Sequence, residues 1–229
     1  YPNGWIRIWV SGTTNATGGP FVGLHPDATT TNTSNWAADG TESVFVYGIQ
    51  YEDNVIFPTS YIPTNGSAVT RAADVVEITG ANFSSFYNQS EGTVFTEYNV
   101  LGNSGATQVI YDFSDGTNNN SIRQYKKHGN NETVNTIRVS GIPTGRLEDN
   151  TNTPFNEQYK TAYAFDGTAA QRAIKGIASS TAAVSSMPTV DQLRLGARTD
   201  SAFLATCYIS RLAYFPVRLP EATLENITS

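Results

Sequence analysis

Cysteine, histidine and long apolar runs are scarce in this sequence, and each scarcity excludes a class of protein. The 229 residues include one cysteine and two histidines. A lone cysteine forms no intrachain disulfide, and one cysteine with two distant histidines cannot complete a structural zinc site. No apolar run approaches the roughly 20 residues of a membrane-spanning helix, so we expect no membrane partner. We interpret Cys207, in the apolar run 203–209, as a small buried core residue.

Charged side chains make up only 15% of the residues, and acidic ones outnumber basic ones. The formal net charge is −6, with an isoelectric point near 4.9. Nucleic-acid binding requires a basic face that neutralises phosphates, so nucleic acid is excluded as a partner. An acidic surface is compatible with neutral sugars or with bound Ca²⁺, and it identifies neither.

The carboxylate pattern of a glycoside hydrolase is missing. Such enzymes need two carboxylates that face one sugar ring, about 5–10 Å apart. The nearest groupings are Glu42, Glu52 with Asp53, and Glu148 with Asp149. Adjacent residues of a strand point to opposite faces, so Glu52 and Asp53 cannot form such a pair. We interpret all these groups as solvated charges and the chain as non-catalytic.

A nucleophilic enzyme is also not indicated, because a serine or cysteine nucleophile needs a base beside it. The sequence offers only His25 and His128, and it contains no Gly-x-Ser-x-Gly elbow near either of them. We interpret both histidines as surface residues, and we expect no cofactor.

What the sequence has in abundance is the material of strands and turns. It contains 12 tyrosines, 11 phenylalanines and 19 glycines. Segments that favour β-structure recur every ~10–15 residues with turn residues between them, as in a sandwich or jelly roll. Strands are predicted at 5–10, 21–24, 43–51, 74–79, 93–100, 108–113, 121–125, 135–139, 158–165, 171–175, 192–196 and 205–215, and helical turns at 81–89 and 220–225.

These segments predict an all-β fold, an antiparallel β-sandwich, because strands do not alternate with helices as a parallel α/β sheet requires. The three strands predicted before residue 57 are too few to close a sandwich with two buried inner faces. Either further strands lie upstream of Tyr1, so that the sequence is a fragment, or these strands pair with another chain. We favour the first interpretation.

An extended connector follows these three strands. Pro58 and Pro63 restrict the backbone and cannot donate to a sheet, and Asn65–Gly66 is a turn signal. The string SYIPTNGSAVTRAADV at 60–75, preceded by VFVYGIQYEDNVIFPT at 44–59, resembles a junction common in bacteriophage tail-fibre and tail-associated proteins. The segment 208–224 is similar to the closing strand and short helix of the jelly roll in those proteins.

The resemblance implies three parts. Residues 1–57 would be the C-terminal part of a carbohydrate-binding-module-like β-sandwich, 58–73 an ordered linker, and 74–229 a concanavalin-A-like (laminin-G-like) jelly roll. It also implies a virion protein that presents loops to host-surface glycans, contacts other virion proteins and forms homo-oligomers, with a trimer as the expected state. Two alternatives stay open: a purely structural head-fibre or decoration protein, and a glycan depolymerase whose acids come from separate strands.

Sugar binding needs an exposed aromatic ring with amide or carboxylate groups beside it. Three groupings fit this description, in order of preference: Trp36 with Asn35 and Asp39, Tyr125 with Gln124, and Tyr51 with Glu52. For Trp36, binding and simple packing are equally good interpretations. For the two tyrosines, packing is favoured, because many tyrosines border sheet edges.

Calcium binding is a further hypothesis, since Ca²⁺ prefers several carboxylate, amide and carbonyl oxygens. Asp112, Asp115 and Asn118 lie in an oxygen-rich run, and laminin-G-like folds carry Ca²⁺ on loops at one sandwich edge. The run lacks the order of acids, glycine and terminal glutamate that defines an EF-hand. An ordinary Asp/Asn turn is the favoured interpretation.

Overall fold

The computed structural model of the chain describes residues 2–12, 40–41, 43–53, 55, 57–72, 74–148 and 153–229. The chain divides into two compact units, Tyr1–Arg71 and Ala72–Ser229. Every strand found among the described residues belongs to the second unit.

Two antiparallel sheets pack face to face in the second unit, which confirms the predicted all-β antiparallel sandwich. The front sheet has the order β1 (Val76–Thr79), β11 (Gln192–Leu195), β3 (Gln108–Ser114), β4 (Ser121–Lys126), β5 (Thr133–Val139) and β6 (Ile142–Glu148). The back sheet has the order β10 (Ala182–Ala183), β8 (Ala169–Ile174), β7 (Gln158–Asp166), β2 (Glu91–Val100) and β12 (Cys207–Phe215), and β9 (Ile177–Ala178) pairs with β8.

Alternation along each strand separates the core from the surface. On β4, Ile122 packs in the core, and Gln124 hydrogen-bonds Thr96 and Thr161 of the back sheet. Gln124 therefore lies between the sheets, and its neighbours Arg123 and Tyr125 project from the outer face of the front sheet. This outer face carries the groove described below.

Aromatic rings close one end of the core. The short helix α1 (Gly80–Ser84) places Phe83 in the core, and it ends five residues before the end of the helical turn predicted at 81–89. Phe86 and Tyr87 follow the helix and pack against the same core. The ring centroids of Phe83 and Tyr87 lie 4.7 Å apart, and those of Tyr87 and Tyr214 lie 5.2 Å apart. Burial raises the pKa of Tyr87 far above its usual value, so the phenol stays neutral.

The terminal helix α2 (Glu221–Thr228) confirms the second predicted helical turn and extends it by three residues. The prediction began the helical turn at Pro220, but Pro220 is the N-cap and the helix begins at Glu221. Leu224 is buried against Phe95, Ala162 and neighbouring small residues, so α2 covers part of the outer face of the back sheet. Among the described residues, no helix has the length and apolar character needed to cross a membrane.

Three strands of the second unit were not predicted. β6 contains Pro143 and Gly145, which are both rare inside strands, but it lies at the edge of the front sheet, where proline is tolerated. Glu148, which the sequence indicated as a solvated charge, is the exposed last residue of β6. β9 and β10 have two residues each, too few to show a sequence pattern.

Cys207 begins β12 and packs against the core, as predicted, although it is only partly buried. Burial raises the pKa of its thiol to about 11. The thiol is therefore protonated at neutral pH, which suits a packing role.

The first unit does not contain the strands predicted at 5–10 and 43–51. Its described residues form no strand, and their one regular element is a 3₁₀ turn at Pro2–Gly4. Ile8 and Phe45 are 89% and 87% exposed. A strand needs a neighbour to pair its backbone groups, and β-propensity alone does not supply one. The strand predicted at 21–24 lies outside the described residues.

Candidate functional site

A groove of about 190 Å³ lies on the outer face of the front sheet. Its lining combines guanidinium groups, aromatic rings and small polar side chains: Thr107, Val109, Asn118, Arg123, Tyr125, Thr136, Arg138, Arg198 and Phe203. Three of the chain's ten arginines therefore meet in one place on a protein of net charge −6.

Strand register builds the floor of the groove. Arg123 of β4 lies opposite Asp112 of β3 on one side and Thr136 of β5 on the other. Two residues further along β4, on the same face, Tyr125 lies opposite Val109. A register shift in β3 between Val109 and Tyr111 keeps Val109 on this outer side.

The segment 198–203, which connects β11 to β12, forms one wall of the groove. It folds back on itself, with Arg198 N–H donating to the Ala202 carbonyl at 2.9 Å. The Arg198 guanidinium lies 4.5 Å from the centroid of the Phe203 ring, within the range of a cation–π contact. The Phe203 carbonyl accepts a 3.0 Å bond from Val109 N–H, which fixes this wall to β3.

The three arginines differ in how far their charge is neutralised. Arg123 donates from Nε and Nη2 to the Asp112 carboxylate, at 2.9 and 3.2 Å. Arg198 donates from Nε to Asp200 at 2.8 Å, and this pairing lowers the pKa of Asp200 to about 2. Arg138 forms no ion pair with any described residue.

Arg138 therefore supplies the surplus positive charge of the groove. Its Nη2 donates to the Gly141 carbonyl at 2.7 Å, and its Nε is buried without a hydrogen-bond partner among the described residues. An N–H that is neither solvated nor paired is unusual, because a buried donor left unsatisfied is costly. A guanidinium with free N–H groups in a concave site is suited to bind a carboxylate or another planar anion.

The structure places the predicted sugar-binding residues in different parts of the chain. Tyr125 lines the groove. Gln124 was wrongly paired with it, since Gln124 is 0% exposed and bonded inside the sandwich. Neighbouring residues of a strand cannot both reach one ligand on one face.

Tyr51 is 64% exposed and lies in the first unit, where it lines a separate depression together with Gln50, Thr64 and other residues. Its neighbour Glu52 accepts hydrogen bonds from Gln50 and from the Thr59 backbone. Trp36, Asn35 and Asp39 lie outside the described residues, so this grouping stays a prediction.

The three calcium candidates do not converge on a common space for a metal. Asp112 and Asn118 both direct side-chain oxygens at Arg123, the amide at 2.9 Å from Nη1. Asp115 lies in a turn, where it accepts bonds from Thr117 and Asn120. Within the described parts of the chain, no group of three or more His, Cys, Asp or Glu side chains is arranged to hold a metal ion. The favoured interpretation, an Asp/Asn turn, fits Asp115.

Sequence reasoning missed the residues that dominate the groove: Arg123, Arg138, Arg198 and Phe203. One signal could have found the first, because Arg123 and Tyr125 are two apart on a predicted strand and therefore share a face. Arg138 required the pairing of β5 with β4, and the other two required the path of the segment 198–203. These depend on contacts between residues distant in sequence.

Comparison with known proteins identifies solved structures of similar fold. No family model matches the sequence, and no curated protein matches it. The second unit is similar to the CBM40 of the Ruminococcus gnavus IT-sialidase bound to alpha2,3 sialyllactose, with a TM-score of 0.56 and 15% identity over 69% of this chain and 97% of that one.

Two larger proteins share the fold over part of their length. The NanB sialidase from Streptococcus pneumoniae matches with a TM-score of 0.54 and 15% identity, over 67% of this chain and 26% of its own. The leech intramolecular trans-sialidase matches with a TM-score of 0.54 and 14% identity, over 68% of this chain and 27% of its own. At such identities the likeness establishes a shared β-sandwich fold.

Proposed function

We propose that the second unit is a carbohydrate-binding module whose groove takes a sugar that carries a carboxylate. The observation that carries the proposal is Arg138, a cation without an acidic partner among the described residues, in a groove that also presents Tyr125 and Phe203. Aromatic rings pack on the apolar face of a sugar, and a guanidinium pairs with its carboxylate through two parallel hydrogen bonds.

The solved structures of similar fold support the proposal of an acidic sugar as ligand. Two of them are CBM40 modules bound to alpha2,3 and alpha2,6 sialyllactose, and each is covered over 97% of its length by this chain. A sialylated glycan ends in an acidic sugar, which is the chemistry that the arginines favour. The groove is smaller than the roughly 300–1,000 Å³ of sites that enclose a drug-sized ligand, so we expect it to hold one terminal sugar.

We propose binding without catalysis. The carboxylates beside the groove, Asp112 and Asp200, are each held by an arginine. A general acid needs a carboxyl that is free to give its proton to the leaving group. The depolymerase alternative would be supported by release of reducing ends from a host polysaccharide.

The decisive experiment compares sialyllactose with lactose by isothermal titration calorimetry. We expect the protein to bind sialyllactose and to bind lactose much more weakly, since only the first has a carboxylate. Arg138→Ala removes a charge-assisted hydrogen bond of about 1.5–3 kcal/mol and should weaken sialyllactose binding roughly 10- to 100-fold.

Arg211→Ala is the matched control, because Arg211 is exposed on the back sheet, above Phe95. It removes the same charge away from the groove and should leave the affinity unchanged. Equal affinity for the two sugars, or equal losses in the two variants, would argue against the proposed site.

We propose further that this module is part of a phage particle, where it would contact host glycans and other virion proteins. The support is the resemblance of residues 44–75 to the junction in tail-associated proteins. Detection of the chain by mass spectrometry in purified virions would test this setting, and its absence from particles would contradict it.

The exposed apolar side chains of the first unit favour a second role in assembly. Residues 5–10 and 43–49 carry tryptophan, tyrosine, phenylalanine and aliphatic side chains that are largely exposed. Soluble proteins rarely leave such contiguous apolar surface uncovered. This supports the homo-oligomer that was expected from the sequence, and it favours the structural virion protein that was left open as an alternative.

A further inference from the structure

We propose that Arg194 and Asp112 are positioning residues that hold the segment 198–203 in the shape that binds ligand. The proposal rests on the proposed function, because this segment supplies Arg198 and Phe203 to the groove. Arg194 does not line the groove itself.

Arg194 lies on β11 and binds the segment from beneath. Its Nη1 donates to the Thr199 carbonyl and to Ser201 Oγ, both at 2.9 Å, and lies 3.4 Å from the Arg198 carbonyl. Its Nη2 donates to Glu77 on β1 at 2.8 Å. One guanidinium therefore connects three residues of the segment, Arg198, Thr199 and Ser201, to the front sheet.

Asp112 secures the segment from β3. Its Oδ2 accepts a 2.9 Å bond from Thr199 N–H, and the same carboxylate binds Arg123. Asp112 is completely buried, so both interactions are shielded from water. A single carboxylate thus fixes the floor of the groove and its wall in relation to each other.

The backbone of the segment explains why it needs external support. Ser201 and Phe203 have φ values of 61° and 53°, in the left-handed region that disfavours residues with a Cβ. Such conformations persist where surrounding contacts over-determine them. Without the contacts from Arg194, the segment should relax and move Phe203 and Arg198 from their places beside Tyr125 and Arg138.

The test uses Arg194→Met, which keeps the length of the side chain and removes its donors. Sialyllactose affinity is measured by calorimetry, and hydrogen exchange is followed at individual backbone amides. We expect at least a tenfold loss of affinity, with faster exchange confined to the amides of Thr199, Ala202 and Ala205. The thermal midpoint of unfolding should stay within a few degrees of wild type, because the sandwich core is untouched.

Two further variants separate positioning from general effects. Arg194→Lys retains the charge and one or two donors, and it should restore part of the affinity and part of the exchange protection. Arg218→Met removes a partly buried arginine that is paired with Asp166, and it should alter neither measurement at the segment.

Faster exchange with unchanged affinity would overturn the proposal, because Arg194 would then hold the segment in a shape that ligand binding does not require. Lower affinity with unchanged exchange would overturn it too, since Arg194 would then act by charge alone. If wild-type protein binds no sialylated sugar, the proposed function fails separately. The exchange rates of Arg194→Met then still decide whether Arg194 holds the segment.

Discussion

Asp112 is the buried acidic residue beside the groove, and it contacts both Arg123 and the segment 198–203. Burial raises the pKa of its carboxyl above the usual value, and the pairing with Arg123 only partly offsets this effect. Asp200, which is far more exposed, is pulled in the other direction by Arg198, to a pKa of about 2. Two carboxylates that hold arginines in one groove are therefore expected to titrate in different ranges.

We predict that acidification protonates Asp112 well before Asp200. Carboxyl carbon NMR titration of the wild-type protein measures both groups, and Asp112→Asn assigns the first signal by removing it. Asp112 titrating together with Asp200, or at lower pH, would show that the ion pair outweighs burial at this site.

The same shift has a consequence for stability. A folded-state pKa above the unfolded value means that the native state binds this proton more tightly. The contribution of Asp112 is therefore fully present below the unfolded pKa, and it is lost as pH rises through the folded pKa. At neutral pH the role of the buried pair is to fix the positions of Arg123 and Asp112. Asp112→Asn would leave Arg123 without its acidic partner.

At this scale, sequence reasoning found one of the aromatic residues of the groove and assigned a buried residue to the same site. Tyr125 was identified because an aromatic ring beside polar groups is recognisable without a structure. Gln124 was assigned to the same site although a strand points adjacent side chains in opposite directions. The arginines escaped notice because an arginine in a strand looks the same whether it pairs with a carboxylate or, like Arg138, has no acidic partner among the described residues.

Among the elements, β6 shows how tertiary context overrides local propensity. Its Gly145 has φ of 55°, and a Cβ there would lie 2.8 Å from Val184 Cγ2 and 3.2 Å from Ile137 Cδ1. The glycine also accepts a 2.6 Å bond from Tyr163 Oη through its carbonyl. The residue that made the segment look unlike a strand is the one that lets β6 approach the core.

We predict that Gly145→Ala destabilises the sandwich. Gly129→Ala is the control, because Gly129 has φ of 87° but an added Cβ there would meet no other atom within 4 Å. Both variants impose left-handed strain, and only the first adds a steric clash. We expect Gly145→Ala to lower the free energy of unfolding by about 1–3 kcal/mol more than Gly129→Ala, as measured by urea titration. Equal losses would mean that β6 moves away from Val184 without penalty.

Several of the correctly predicted strands share one property: they contain aromatic or aliphatic residues that pack between the two sheets. β2, β3, β4, β7 and β12 all place such residues in the core. Strand order and register were beyond reach, since they depend on pairings such as β11 with β3 that join residues about 80 positions apart. The groove is a product of that register, and so it could not be predicted as a site.

On the scale of the whole molecule, the two units differ in how far their hydrophobic side chains are buried. The second unit buries its aromatic residues between two sheets. The described residues of the first unit pack rings in pairs, such as Trp9 with Phe57 at 5.4 Å and Tyr47 with Tyr61 at 5.7 Å, and leave long aliphatic side chains exposed. β-Prone segments without partner strands are typical of surfaces that pair with another chain.

We therefore predict that the chain self-associates through the first unit. The double variant Ile8→Lys/Phe45→Lys should shift the protein toward monomer, because burying this surface between two chains would then require the desolvation of two charges. Tyr208→Lys is the control, since Tyr208 is 65% exposed in the second unit. Light scattering across a range of concentrations measures the mass. A wild-type protein that is monomeric throughout would contradict self-association, and a mass reduced equally by both variants would place the contact elsewhere.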